Sequence, residues 1–108
     1  MEKITQKYGH YHWQHTISNA ALVLLGLLYG EGDFVKSTSI AIMGGLDTDC
    51  NGATVASIIG TTLGLKKLPE KMITPLHDRF ESLVLGFNSC KLSDLAERTY
   101  KQANMISS

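Results

Sequence analysis

The sequence has few cysteines, no excess charge of either sign and no long apolar run. Cys50 and Cys90 stand far apart and form no CxxC pair, so neither a disulfide framework nor a structural zinc site is expected. Ten Lys and Arg balance ten Asp and Glu, which leaves no basic field for nucleic acid or an anionic membrane. The most apolar run, AALVLLGLLYG, falls short of the ~20 residues of a membrane helix.

What remains is an ordinary globular composition, with 44% apolar residues in a chain of 108. The opening residues, MEKITQKYGHYHW, contain no apolar signal segment, and isolated cysteines suit a reducing compartment. We therefore expect a single cytoplasmic domain over residues 1–108, with neither nucleic acid nor a membrane as a partner.

Apolar periodicity predicts an all-α fold of four to five helices. The first covers Thr16–Tyr29, and its apolar residues surround nearly the whole helix, which favours burial on most sides. The second follows Asp33, a suitable N-cap, and stops at the pair Gly44-Gly45. Its β-branched residues would also allow a strand, but we prefer a helix because its apolar residues share one helical face.

The third predicted helix, NGATVASIIGTTLG, has small residues at every fourth position: Gly52, Ala56, Gly60 and Gly64. Such a stripe lets a neighbouring backbone approach closely. Farther on, PEKMITPLHDRFESLVLG predicts a short helix that Pro75 ends or kinks. The final segment, KLSDLAERTYKQANMISS, predicts a helix with a serine N-cap at position 93.

The stretch GGLDTDCNG, residues 44–52, places two carboxylates one residue apart at the start of a helix. One interpretation is local, because a helix N-terminus stabilises an acidic cap such as Asp49. The other is a site for a hard divalent cation such as Mg²⁺, formed by Asp47 and Asp49. The EF-hand pattern fails, since its twelfth position, a glutamate in that motif, is Ile58.

The stretch GHYHWQH groups His10, His12 and His15 and makes a transition-metal site conceivable. Packing of these imidazoles beside Tyr11 and Trp13 is the more common arrangement, and we favour it.

Two segments together resemble the ADP-ribosylglycohydrolases. GGLDTDCNGATVASIIGTTLG is similar to that family's glycine-led D-x-D-T segment, and HTISNAALVLLGLLYGEGDF is similar to its HTxxNAA…LYGxGDF stretch. The resemblance implies an all-helical hydrolase that uses two Mg²⁺ ions to remove ADP-ribose from protein side chains. It covers only the C-terminal part of such enzymes, so we expect a partial helical bundle.

Carried onto this sequence, the resemblance implies metal ligands at Asp47, Asp49 and Cys50, where the family has Thr at the third position. Cys50 departs from the pattern, because a thiol suits Mg²⁺ poorly. His15 and Asn19, from the HTxxNAA segment, are expected near the substrate.

The family's second acidic segment, T/S-D-D-T, has no counterpart, since no Asp-Asp pair occurs in the chain. No catalytic residue is therefore assigned, and the isolated chain is expected to hold an incomplete Mg²⁺ site. The alternative is a catalytically silent helical module with residual cation binding. Because apolar helix faces would lack their covering, we also expect a homodimer or higher homo-oligomer.

Overall fold

The chain is mostly helical, as its sequence predicts. A computed structural model describes residues 1–106, which divide into an N-terminal unit, Met1–Pro69, and a C-terminal unit that begins at Glu70. Whether residues 1–108 fold as the single expected domain stays a prediction, because contacts alone do not show that either unit folds by itself. Within residues 1–106, no helix combines the length and apolarity that crossing a bilayer requires.

Four helices and one 3₁₀ turn build the N-terminal unit: α1 (Glu2–Tyr8), α2 (Thr16–Tyr29), α3 (Phe34–Met43), α4 (Thr48–Leu63) and the turn Leu65–Lys67. Helices α2, α3 and α4 all contact one another. Their shared interior holds Ala41, Val55 and Ile59, which are buried and packed together, and Leu22 of α2 is buried as well. Burial of these apolar side chains is the main force that holds the unit together.

The predicted boundaries of α2 and α3 are confirmed. Helix α2 covers Thr16–Tyr29, and α3 begins after Asp33, whose carboxylate accepts a hydrogen bond of 2.6 Å from the Lys36 N–H. This bond satisfies one of the free N–H groups of the first helical turn. At the other end α3 stops before Gly44.

The predicted burial of α2 is incomplete, since eight of its fourteen residues are buried or half-buried and one face remains exposed. Helices α1, α3 and α4 all contact α2, in which Leu22 and Gly26 lie buried. Ile17, Leu24 and Leu28 remain exposed, at 46%, 54% and 67%. These three positions follow one another at helical spacing, so α2 presents a continuous apolar stripe, here called the α2 stripe.

The small-residue stripe of α4 gives a close approach at one position. A Cβ added to Gly52 would lie 3.0 Å from the side chain of Ile42 in α3, whereas one at Gly60 would meet its nearest atom at 3.7 Å. Gly64 plays a different part, because it ends α4 with a φ of +73°. That left-handed conformation suits glycine, which has no Cβ to clash.

In the C-terminal unit, the segment predicted as a helix with Pro75 at its end is only partly helical. It contains α5 (Glu70–Ile73) and a 3₁₀ turn, Thr74–Leu76, and then forms β1 (Arg79–Glu81). Strand β1 pairs antiparallel with β2 (Ser89–Lys91). Of the two alternatives predicted at Pro75, the helical segment ends there rather than continuing after a kink, and a hairpin follows.

Helix α6 (Leu92–Ile106) follows β2 directly, and Ser93 lies within its first turn rather than at its N-cap. The predicted cap is therefore wrong. Asp78 serves this end instead, since its carboxylate accepts hydrogen bonds from the Ser93 N–H at 2.8 Å and the Ser93 hydroxyl at 2.6 Å. These bonds, aided by the charge of Lys91, lower the pKa of Asp78.

Candidate metal centre

A tight turn between α3 and α4 brings the first acidic residue into position. Gly45 and Leu46 both have left-handed backbones, with φ of +75° and +62°. For leucine this conformation is uncommon and strained, and such strain is concentrated at functional sites. Asp47 follows at the N-cap position of α4, yet its side chain makes no capping hydrogen bond. The Asp47 carboxylate therefore does not cap the helix.

Three donor side chains converge at this helix end. The carboxylate oxygens of Asp47 and Asp49 and the Sγ of Cys50 all lie within 4.8 Å of one another. Asp49 and Cys50 are exposed and Asp47 is half-buried, so the group is open to solvent on one side. The two predicted acidic ligands and the cysteine are therefore brought together, as a metal site would require.

Mutual contacts set the protonation of this group. The side-chain interaction with Asp47 comes first among the causes that hold the pKa of the Asp49 carboxyl below its usual value, and the N–H groups of Asp49 and Cys50 come next. The Cys50 thiol has a raised pKa because it hydrogen-bonds to Asp47 and lies beside two negative charges. The site thus concentrates negative charge that a cation would neutralise.

Hydrogen bonds to Asn19 hold the turn between α3 and α4 against α2. It lies almost fully buried in α2, and its Oδ1 accepts hydrogen bonds from the Asp47 N–H at 3.1 Å and from Asn51 Nδ2 at 2.7 Å. Its Nδ2 donates to the carbonyls of Trp13 at 2.7 Å and His15 at 3.0 Å. All four hydrogen-bonding positions of this amide are therefore used within the chain.

Asn51 is a site residue that sequence reasoning did not assign. It is buried in the first turn of α4 and bonds to Asn19 across the α2–α4 interface. The Asn-Gly pair after the second aspartate was visible in the sequence, but its partner stands 32 residues earlier. Together the two asparagines fix the start of α4 against α2.

His15 begins α2 rather than joining the acidic group. Its Nδ1 accepts a hydrogen bond of 3.3 Å from the Ile17 N–H, which makes it the N-cap of that helix. Its ring stacks on Tyr11 at a centroid distance of 4.2 Å, and His12 packs on Trp13 at 5.5 Å. The preferred packing of these imidazoles beside the aromatic rings is confirmed. The predicted substrate contacts of His15 and Asn19 stay predictions.

A shallow groove runs beside the acidic group. Its walls come from α2, through Thr16, Ala20 and Val23, and from α4, through Cys50 and Thr54. Asn19 and Asp47 also line it. The groove therefore offers space for a molecule that contacts a bound ion.

Magnesium fits this donor set only in part. Mg²⁺ prefers six oxygen ligands, keeps several waters and is often held by one or two carboxylates. Asp47 and Asp49 meet that preference, with water able to complete the shell. The Cys50 thiol does not, because sulfur is a soft donor. The two aspartates are thus the part of the group suited to magnesium.

A comparison with protein-family models bears on this arrangement. The model described as ADP-ribosylglycohydrolase matches residues 1–106, nearly the whole chain. Neither a curated protein nor a solved structure gives a match. The match includes both the HTISNAA segment that begins α2 and the DTDCNG segment that begins α4, the two segments that Asn19 joins. The chain belongs to the ADP-ribosylglycohydrolase family.

Proposed function

We propose that this chain supplies Asp47 and Asp49 to a divalent-cation site used for the hydrolytic release of ADP-ribose from protein side chains. The observation that carries the proposal is the convergence of the two carboxylates at the start of α4, on a turn held by Asn19 and Asn51. Membership of the family supports the reaction class. Mg²⁺ is the cation that the family resemblance implies.

In this proposal each residue has a distinct task. Asp47 and Asp49 bind the ion, while Asn19 holds the Asp47 backbone so that both carboxylates face one point. A bound divalent ion supplies Lewis-acid polarisation and lowers the pKa of coordinated water. The adjacent groove receives the ADP-ribosyl group.

We further propose that the isolated chain does not complete this site. Within residues 1–106, the one group of three or more close His, Cys, Asp or Glu donors is Asp47, Asp49 and Cys50. Two carboxylates alone hold Mg²⁺ weakly, because the ion parts from its waters reluctantly. Hydrolysis also needs an acid or base within reach of the reacting bond, and no residue here is assigned that part.

Calorimetric titration with Mg²⁺ tests the site directly. We expect weak binding by the parent chain and its loss in both Asp47→Ala and Asp49→Ala. Asp94→Ala is the matched control, since Asp94 also lies exposed in the first turn of a helix, α6. Equal binding by the parent and both site variants would refute the site.

The reaction is tested by incubating the same proteins with a peptide ADP-ribosylated on arginine. We expect no turnover from the isolated chain in Mg²⁺. Turnover that disappears in Asp47→Ala and Asp49→Ala would instead show that this chain forms a complete enzyme, alone or by self-association. Light scattering on the active sample would separate those two cases.

A second candidate function is a catalytically silent module that assembles with copies of itself. It is favoured by the α2 stripe, where Ile17, Leu24 and Leu28 are exposed. Water contact with adjacent large apolar side chains is unfavourable, and a second copy would cover them. In this function any cation binding would be residual.

Size-exclusion chromatography with light scattering tests the module. We expect a dimer or larger oligomer that Leu24→Lys and Leu28→Lys convert to monomer. Thr61→Lys is the control, because Thr61 is an exposed residue of α4. A parent chain that is monomeric at high concentration would refute self-assembly.

A further inference from the structure

We propose that the donor group at the start of α4 takes a borderline transition ion such as Zn²⁺ in preference to Mg²⁺, with the Cys50 thiolate as a third ligand beside Asp47 and Asp49. This inference rests on the cation site of the proposed function and names the ion that the chain's own donors favour. It starts from the disagreement between the implied magnesium and the thiol that stands among the carboxylates.

The chemistry of the donors carries the first step. Mg²⁺ prefers oxygen and gains little from sulfur, whereas Zn²⁺ accepts thiolate and carboxylate together. Replacing an oxygen donor by a thiolate therefore weakens a magnesium site and strengthens a zinc site. The Irving–Williams order adds to this difference, since zinc lies near its strong end.

The geometry carries the second step. Around a tetrahedral zinc ion, bonds of about 2.0 Å to oxygen and 2.3 Å to sulfur place the donor atoms about 3.5 Å apart. The three donor atoms already lie within 4.8 Å. Asp49 and Cys50 are exposed, and small rotations of their side chains would close the remaining distance. Three protein ligands leave the fourth position of a tetrahedral ion to water.

The proton balance of binding is simple. The thiolate is the ligand, so its coordination breaks the Sγ–H bond and releases one proton to solvent. No electrons are transferred, and zinc keeps its charge. With two carboxylates and one thiolate around a divalent ion, the complex has a net charge of about −1.

Cobalt(II) serves as the spectroscopic probe for this site, because it replaces zinc and shows a thiolate-to-metal absorption band. We expect cobalt to produce that band in the parent chain, held in a non-thiol reductant, and in Cys90→Ser. Cys50→Ser should lack it. Competition with Zn²⁺ should remove the band in the parent, while Mg²⁺ at a large excess should not.

Zinc affinity is measured by calorimetry on the same three proteins. We expect Cys50→Ser to lose more than the roughly 10–100-fold that removal of an outer-shell partner costs, with Mg²⁺ affinity unchanged or improved. Circular dichroism confirms that the variant keeps its helices.

Each other outcome overturns the inference in a recognisable way. One such outcome is that the parent and Cys50→Ser bind cobalt and zinc equally, show no thiolate band, and lose binding when Asp47→Ala is introduced. This result would indicate a site made of carboxylates and would exclude the thiol as a ligand. A band that persists in Cys50→Ser but disappears in Cys90→Ser would place the metal elsewhere. If the chain binds none of Co²⁺, Zn²⁺ and Mg²⁺, both this inference and the proposed cation site are overturned.

Discussion

Removing the amide of Asn19 should both destabilise the N-terminal unit and disturb its acidic turn. In Asn19→Ala, the buried Asn51 Nδ2 loses the acceptor that it contacts at 2.7 Å. An orphaned buried donor costs about 1–3 kcal/mol, and loss of the bond to the Asp47 N–H adds roughly 1 kcal/mol. We therefore expect the free energy of unfolding to fall by about 2–4 kcal/mol.

Urea titration followed by tryptophan fluorescence measures this change. The chain has a single tryptophan, Trp13, whose carbonyl accepts a hydrogen bond from Asn19. The signal therefore comes from the unit that holds the site. Asn88→Ala is the matched control, because Asn88 is exposed and its only described side-chain bond is a long one of 3.5 Å. The control should stay within about 0.5 kcal/mol of the parent.

A double-mutant cycle then separates the asparagine pair from general loss of packing. Asn51→Ala removes the other partner, and the two substitutions together should cost less than the sum of the single ones. The expected coupling energy is about 0.5–3 kcal/mol, the range for residues in one hydrogen-bond network. Additive effects, or a loss below about 0.5 kcal/mol in Asn19→Ala, would refute the argument that this pair fixes the turn.

Three further substitutions test the packing and the helix cap. Gly60→Ala should stabilise α4 by about 0.5–1 kcal/mol, because a Cβ has room at that position. Gly26→Ala should instead destabilise the N-terminal unit by about 1–3 kcal/mol, because its Cβ would lie 2.7 Å from the Ser37 carbonyl oxygen. The lowered pKa of Asp78 means that its bonds to Ser93 stabilise the fold above the unfolded pKa, about 3.9, and that this stability is lost as the pH falls through the folded pKa. Asp78→Asn should flatten that acid dependence.

Thermal melts followed by circular dichroism measure the effects of all three substitutions. The two glycine substitutions are expected to change stability in opposite directions. If both change it by the same amount in the same direction, the close-packing argument is contradicted. For the cap, Asp94→Asn is the control, because it removes an exposed carboxylate from the same helix end. An acid dependence that is identical in the parent and Asp78→Asn would contradict the role of Asp78.

The helices that the sequence predicts correctly are those whose ends are marked by adjacent residues. Helix α3 has its cap at Asp33, only three residues from the N–H that it binds, and a glycine pair at its end. Such signals act over one turn and need no partner from elsewhere in the chain. The acidic pair is also local in sequence, but the turn that holds it is fixed by Asn19, 28 residues before Asp47.

The errors occur where the decisive contact comes from a distant residue. Strand β1 is three residues long, too short for alternation to be recognised, and it exists because β2 pairs with it. Ser93 has the chemistry of a cap, but Asp78, 15 residues earlier, takes that part. Local propensities do not include a carboxylate that the β1–β2 hairpin brings next to the helix end.

Asn19 shows how the same limit affects the site. Its place in a family-like segment predicts contact with substrate, yet the structure engages both polar atoms of its amide with partners up to 32 residues away. An amide that is saturated inside the fold can bind a ligand only by giving up one of these bonds. Contact with substrate would then release either the Asp47 turn or the start of α2, so binding at Asn19 and geometry at Asp47 would be coupled. The substrate role predicted for Asn19 is thus inseparable from its role in positioning the carboxylates.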